Sequence, residues 1–310
     1  MVYRTKKRKP TRRTRVRRKN ISLLIGGEGT CIFVPLRDGL GNQLFIYAAA
    51  LVLKKKLNMP LCLLPAVSST HTNRNYRKIF FSNSTLVENS DPAIKNRISK
   101  SPTIPETMNG HHGKWVNTPI VANISKNVIL HSTYFQNYTE IQSVIPELRE
   151  RIMGTLEKEF PDLKATIDSA TSGFMHVRRG DYDKVWSRSL ARGYYQNGLN
   201  EMSKVAPLKT VYIFSNDLEW CKAQGFTIGE GKTLEFKDEP DEMKALYLMS
   251  LCKCAALISA STFSLWAAIF GAATSSSPLI LYPKQWFLAG NSSTLELPKE
   301  SEGWKVMATE

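Results

Sequence analysis

The chain is short of acidic residues: 27 Asp+Glu stand against 42 Lys+Arg in 310 residues, a net charge of +15. Cysteine is also sparse, with five residues at Cys31, Cys62, Cys221, Cys252 and Cys254. The odd number, and their place mostly inside apolar runs, favour reduced, buried thiols over a disulfide framework. Cys252-Lys253-Cys254 has no second pair and the wrong spacing for a zinc knuckle. No uncharged run reads as a membrane span. The best window, 256–273, carries Ser259, Ser261, Thr262 and Ser264 and reads as a strand, a turn and a helix. No signal peptide is expected from residues 21–27 either, since the apolar run 21–25 is too short and ends at Gly26-Gly27. The sequons at Asn20, Asn83, Asn123, Asn137 and Asn291 argue only weakly for a secretory compartment. What remains, 42% hydrophobic and 22% charged residues, is an ordinary globular composition and excludes a disordered chain, a collagen or a coiled-coil rod.

The charge excess is local. Residues 1–20 hold eleven basic side chains and no acidic one, which leaves +4 for residues 21–310. That stretch is too poor in apolar residues to bury a face. It reads as a solvated tail, a localisation signal, or an anchor for anionic lipid or nucleic acid.

Along the body, strand and helix patterns alternate. Residues 31–36 read as a strand and 42–56 as a helix with Lys54, Lys55 and Lys56 in its last turn, where the dipole favours cations. Further strands are expected at 61–64 and 128–131, and a helix at 141–160; residues 66–120 hold no period. In the second half, strands at 173–177, 211–214, 233–236, 257–259 and 279–282 alternate with helices at 190–205, 218–224, 241–254 and 263–271. Such alternation predicts parallel sheets covered by helices. The expected organisation is a basic tail at 1–28, a first α/β domain at 29–165 and a second at 166–310.

In open α/β sheets ligands bind beyond the carboxyl ends of the strands. Four polar segments stand there: 38–43, 178–181, 215–217 and 261–264. Gly39 and Gly41 allow a tight turn at a helix N-terminus, with Asn42 and Gln43 beside them, and amide groups there favour an anion. It is not a dinucleotide fingerprint, because Leu44 takes the third glycine position. After the strand ending in His176 and Val177 come Arg178 and Arg179, on opposite faces by alternation. Adjacent arginines there suit a phosphate, or pair with Asp181. Asp181-Tyr182-Asp183 also spells the D-x-D that holds a divalent metal in many glycosyltransferases. Ser215 and Asp217 end another strand. Ser261, Thr262, Phe263 and Ser264 open a helix, where hydroxyls cap or bind phosphate. Gly231-Lys232-Thr233 imitates the end of a P-loop, but Phe226 stands where the motif needs glycine and a strand follows. Several anion-binding turns on a two-lobed α/β protein point to a nucleotide-phosphate donor.

Residues 38–45 (DGLGNQLF), 134–136 (YFQ), 176–182 (HVRRGDY), 214–221 (FSNDLEWC), 248–253 (LMSLCK) and 261–264 (STFS) resemble, in order and spacing, the α-1,2-fucosyltransferase family. The resemblance covers about residues 31–290. It implies a GT-B-like fold, two Rossmann-like domains with parallel sheets facing a cleft, the second binding GDP-fucose and the first mainly the acceptor. It implies inverting transfer of fucose to the 2-hydroxyl of a terminal galactose, with GDP-fucose and a galactose-terminated glycan as partners, not a nucleic acid, and with no cofactor or metal. Such enzymes serve carbohydrate metabolism and protein glycosylation. Carried over by motif, Arg178 would hold the β-phosphate, His176 would lie beside the nucleotide, and Ser261–Ser264 would bind phosphates or nucleotide. Gly39–Gln43 would close the cleft, with Asn42 near the diphosphate. Asp181 is the best motif carboxylate for a base. Eukaryotic members are usually held in the Golgi membrane by an N-terminal helix, which this chain does not show; bacterial and viral members can be cytosolic. The chain departs from the family at Cys254-Ala255, where His-Asn is frequent, at Ala245, where an acidic residue is frequent, and at Leu265, where a tryptophan is frequent. Asp217, Asp241 and Glu242 are acidic residues that could substitute. A catalytically lapsed carbohydrate- or nucleotide-binding protein is the alternative reading.

Overall fold

The computed structural model describes residues 30–67, 76–81, 84–88, 90–104, 126–130, 134–184, 189–276, 278–286, 297–298 and 300–309. The basic tail expected at 1–28 lies outside the described residues.

The first half forms a five-stranded sheet with order β3-β2-β1-β5-β4. Its strands are β1 (Ile32–Arg37), β2 (Leu61–Val67), β3 (Thr85–Leu86), β4 (Thr103–Ile104) and β5 (Val128–Leu130). Every pairing is parallel. Alternation along β1 buries both faces, as a parallel sheet requires. Ile32, Val34 and Leu36 join the main core, while Cys31 and Phe33 join a smaller cluster. Helix α1 (Leu40–Leu57) follows β1, and its left-handed C-cap is Asn58. Helix α2 (Pro92–Ser99) starts on Asp91, whose side chain accepts from the Ala93 amide, and packs Ile94 into the smaller cluster. Two short helices complete this half, α3 (Tyr138–Ile141) and α4 (Ile145–Glu159). The single helix expected over 141–160 is broken by a 3-10 turn, Gln142–Val144, and α4 restarts with a proline in its first turn. The sequon residue Asn137 is fully buried and caps α3.

The reduced state expected for all five cysteines needs correction. Cys31 and Cys62 form a disulfide, while Cys221, Cys252 and Cys254 are free and buried. The two bonded residues are 31 apart in sequence, and only the parallel pairing of β1 with β2 brings their Cα atoms to 6.2 Å.

The second half forms a six-stranded parallel sheet with order β11-β10-β9-β6-β7-β8. Its strands are β6 (Ser172–Val177), β7 (Thr210–Ser215), β8 (Thr233–Lys237), β9 (Ala255–Leu257), β10 (Leu279–Pro283) and β11 (Trp304–Met307). The helices are α5 (Asp181–Lys184), α6 (Arg192–Met202), α7 (Leu218–Ala223), α8 (Glu242–Leu251) and α9 (Thr262–Ala272). In chain order the sheet reads 3-2-1-4-5-6, the Rossmann arrangement. Thr233 opens a strand, in agreement with rejection of the P-loop, and the Lys232 ammonium donates to the Val205 and Leu208 carbonyls.

Two parallel α/β halves are the GT-B-like architecture. One hydrophobic core runs through both: Leu44 and Phe45 of α1 and Leu265, Trp266 and Phe270 of α9 belong to it, and the Phe45 and Trp266 ring centroids are 4.9 Å apart. This explains why α1 is buried almost all round from Leu40 to Leu53, rather than on one stripe. No helix among the described residues is long and apolar enough to cross a membrane, so none of them supports the Golgi-membrane expectation.

Candidate functional site

A strand order that reverses leaves a crevice beyond the carboxyl ends of the two strands at the reversal. Each sheet has one. In the second sheet it lies between β6 and β9, in the first between β1 and β5. Three of the four sequence segments singled out for anion binding border these crevices.

In the second sheet, β6 delivers His176 and Arg178 to one face. His176 is fully buried, its Nδ1 lies 2.9 Å from the Ser259 hydroxyl beyond β9, and its ring lies 5.8 Å from that of Phe263. Burial, reinforced by the Arg178 charge, lowers its pKa to about 3, so the imidazole is neutral at physiological pH. The Arg178 guanidinium sits 5.5 Å from the centre of the Tyr182 ring. The Tyr182 hydroxyl donates to the Ala260 carbonyl at 3.0 Å, tying the arginine segment to the turn that opens α9. That helix begins at Ser261 with no side-chain cap on its amides. Simple capping by Ser261 is therefore not its role. Ser264 is fully buried and donates to the Ser261 carbonyl, so it braces the turn from inside.

Arg179 points the other way, as alternation requires. Its guanidinium lies 4.1 Å from the Trp220 ring centre and pairs with Asp183 at 3.1 Å and Asp217 at 3.6 Å. Asn216 accepts from the Arg179 amide and donates back to its carbonyl. Ser215 accepts from the Asp217 amide, and Asp217 caps α7. Arg179, Ser215 and Asp217 therefore form a pillar behind the arginine segment, not a surface on the crevice. Asp183, one carboxylate of the D-x-D, is held by Arg179. Among the described residues no three His, Cys, Asp or Glu side chains cluster as metal ligands. Asp181 opens α5; what the sequence expected of its side chain lies outside the described residues.

In the first sheet, Asp38 follows β1 with φ 57°, and Gly39 is the N-cap of α1, again without a side-chain cap. Gln43 is fully buried and its Nε2 donates to the Asp38 carbonyl at 2.7 Å. It closes the turn from inside and does not line the crevice. Residues 134–136, beyond β5, clamp the same turn: the Tyr134 hydroxyl donates to Asp38 Oδ2, and Gln136 Nε2 donates to Asn42 Oδ1 at 3.0 Å.

The two crevices meet at the heads of α1 and α9. Thr262 Oγ1 donates to Asn42 Oδ1 at 2.9 Å. Gly41 lies so close to this helix that an added Cβ would stand 2.5 Å from the Thr262 carbonyl carbon and 2.6 Å from the Phe263 amide nitrogen. At Gly39 a Cβ would meet nothing within 4 Å. One glycine is needed by the protein's own packing, and the other borders open space. Around the junction Asp38, Gly39, Asn42, Arg178, Thr262 and Phe263 keep some exposure. Two uncapped helix heads and an arginine make it a place for an anion. A crevice of about 310 Å³ lined by Tyr138, Ile269, Glu302 and Trp304 lies elsewhere, at the amino ends of β10 and β11.

The family departures are all buried: Cys254, Ala255, Ala245 and Leu265. Cys254 precedes β9 at the opposite end of the sheet, where its thiol donates to the Ala170 carbonyl. Leu265 is core, and Ala245 is buried in α8. Of the residues that organise the site, Asn216 and Tyr182 stood inside segments the sequence singled out, whereas Ser259 carried no signal, because it acts through His176, distant along the chain.

The family described as Glycosyl transferase family 11 matches residues 31–286. The O-antigen biosynthesis glycosyltransferase WbnK of Escherichia coli is 25% identical over 297 residues, covering 84% of this chain and 97% of that protein. Among solved structures, POFUT1 in complex with GDP is 12% identical with a TM-score of 0.49, over 82% of this chain and 98% of that one. Fucosyltransferase NodZ from Bradyrhizobium is 12% identical with a TM-score of 0.47, over 77% of this chain and 92% of that one.

Proposed function

The chain belongs to glycosyl transferase family 11, and on that premise we propose that it moves L-fucose from GDP-fucose to the 2-hydroxyl of a terminal galactoside, with inversion and without a metal. The observation that supports this reading best is the junction itself, where the uncapped heads of α1 and α9 and the Arg178 segment converge on one place.

The chemistry asks for what such a place supplies. Breaking the bond between fucose and phosphate develops positive charge on the sugar and negative charge on the departing diphosphate. A guanidinium and fixed amide dipoles aimed at that phosphate stabilise the transition state more than the ground state. In this reading Arg178 and the first amides of α9 at Thr262 and Phe263 hold the diphosphate. They perform the charge neutralisation that a D-x-D enzyme assigns to a metal. Asn42 fixes the head of α1 against α9, and Gly39 lets the donor approach the backbone. His176 supports the nucleotide side as a neutral group, bonded to Ser259. Arg179, with Asp183, Asp217 and Asn216, keeps the arginine segment rigid. The acceptor enters from the first domain, and packing of the two halves excludes water that would hydrolyse the donor.

The test is turnover of GDP-fucose with lactose as acceptor. Arg178→Ala is expected to lose about 10²–10³-fold in kcat, as loss of one donor to a developing anion does, while chelation by EDTA leaves the wild-type rate unchanged. Loss of the rate on chelation would transfer the role of Arg178 to a metal at Asp181 and Asp183. GDP binding without transfer would identify a lapsed enzyme.

A further inference from the structure

We propose that Ser259 is a positioning residue: it holds His176 as the tautomer with hydrogen on Nε2, and that N–H donates to an acceptor oxygen of the bound nucleotide. This rests on the nucleotide-sugar reading set out above.

The first argument is place. His176 stands in β6 and Ser259 lies two residues beyond β9, the two strands at the second sheet's reversal, where Met175 pairs with Leu257. The His176 ring lies 5.8 Å from that of Phe263, in the first turn of α9. The imidazole therefore stands beside the amides that the transfer reading gives to the diphosphate.

The second argument is rigidity. Three successive carbonyls around Ser259 are occupied. Ile258 accepts from the Tyr194 hydroxyl at 2.6 Å, Ser259 from the Ser261 amide at 2.7 Å, and Ala260 from the Tyr182 hydroxyl at 3.0 Å. The segment is pinned from both sides, and the buried Ser259 hydroxyl is held 2.9 Å from His176 Nδ1.

The third argument is a count of hydrogens. A serine hydroxyl carries one, and a neutral imidazole carries one on one of its two nitrogens. Burial, reinforced by the Arg178 charge, keeps the ring neutral. If Nδ1 carried the ring hydrogen and donated to Ser259, the serine hydrogen would have no acceptor, because His176 is the one partner of that hydroxyl among the described residues. A buried donor left without an acceptor is costly. Ser259 therefore donates to Nδ1, and the ring hydrogen sits on Nε2. Among the described residues Nε2 has no hydrogen-bond partner, while the ring keeps 5% exposure. Such a donor calls for an acceptor from outside the chain, and a nucleoside diphosphate offers phosphate, ribose and carbonyl oxygens.

The test is nitrogen-15 NMR of the protein labelled in its five histidine rings, with and without GDP, His176 being identified through His176→Asn. Wild type is expected to carry the ring hydrogen on Nε2, and GDP is expected to shift that N–H resonance. Ser259→Ala is expected to populate both tautomers and to weaken GDP binding, measured by calorimetry, about tenfold. Its donor KM should rise by about the same factor with kcat unchanged at saturating GDP-fucose. Ring hydrogen on Nδ1 in wild type would overturn the proposal. A Ser259→Ala variant that keeps the single Nε2–H tautomer would overturn it too, and any fall in its Tm or GDP affinity would then mark Ser259 as structural only. GDP that binds without moving the Nε2–H resonance would remove the ligand contact and leave the transfer reading standing. Wild type that binds no GDP would overturn both.

Discussion

At the scale of single residues, the two glycines of the α1 turn separate packing from binding. Gly39 has ordinary extended backbone, φ −66° and ψ 164°, and open space where a Cβ would go. Gly39→Ala should leave the fold intact, since the gain through the unfolded state is offset by alanine being a poorer N-cap than glycine, yet weaken GDP-fucose binding measured by calorimetry. Unchanged binding would mean that no ligand approaches that backbone. Gly41→Ala should lower Tm, because its Cβ would collide with the α9 backbone. His176 supplies a pH dependence. Its folded pKa, about 3, lies below its ordinary 6.5. As pH falls through the ordinary value, the unfolded chain takes a proton that the folded one refuses. Stability is therefore full above that value and declines on acidification toward the folded value. Thermal unfolding between about pH 7 and about pH 4 should show a steeper fall of Tm for wild type than for His176→Asn; parallel curves would remove His176 as the cause. The sequence made His176, Arg178 and Arg179 legible as alternating faces of a strand end. It did not make legible that Gln43 and Ser264 point inward, since burial of a polar side chain depends on what the fold places around it.

At the scale of elements, the strands and helices of the second half were readable because each apolar run is short and bounded by polar turns. The segment 66–120 was not. Its strands β3 and β4 span two residues each, too few to show alternation, and α2 buries one residue, Ile94. Strand β11 also went unread, with only Trp304 fully buried in it. Nor did the sequence show that α1 and α9 pack together, because a helix buried all round has no stripe to read. Phe45 and Trp266 are central to that contact. Phe45→Ala should cost about 3–5 kcal/mol, seen as a lower urea midpoint. If the two halves unfolded independently, two transitions would appear instead of one.

At the scale of the whole molecule, the charge of +15 divides between a tail and a nearly balanced body. Removing residues 1–28 should leave fucose transfer unchanged and abolish any binding to anionic vesicles or nucleic acid whose strength falls with salt. Salt-sensitive polymer binding by the body alone would contradict that division. The two-domain architecture followed from alternating patterns, and the family from six motifs that the fold distributes over both sheets. Of these, 38–45, 134–136, 176–182 and 261–264 gather at the junction, while 214–221 supports it from behind and 248–253 ends α8 in the core. The central claim is that this junction transfers fucose from GDP-fucose. It is tested most directly by incubating the protein with GDP-fucose and lactose and determining the linkage of the product. The account predicts fucose joined through an α linkage to the galactose 2-hydroxyl, at a rate unaffected by EDTA. Fucose at another hydroxyl, a rate abolished by EDTA, or GDP binding with no sugar transfer would contradict it.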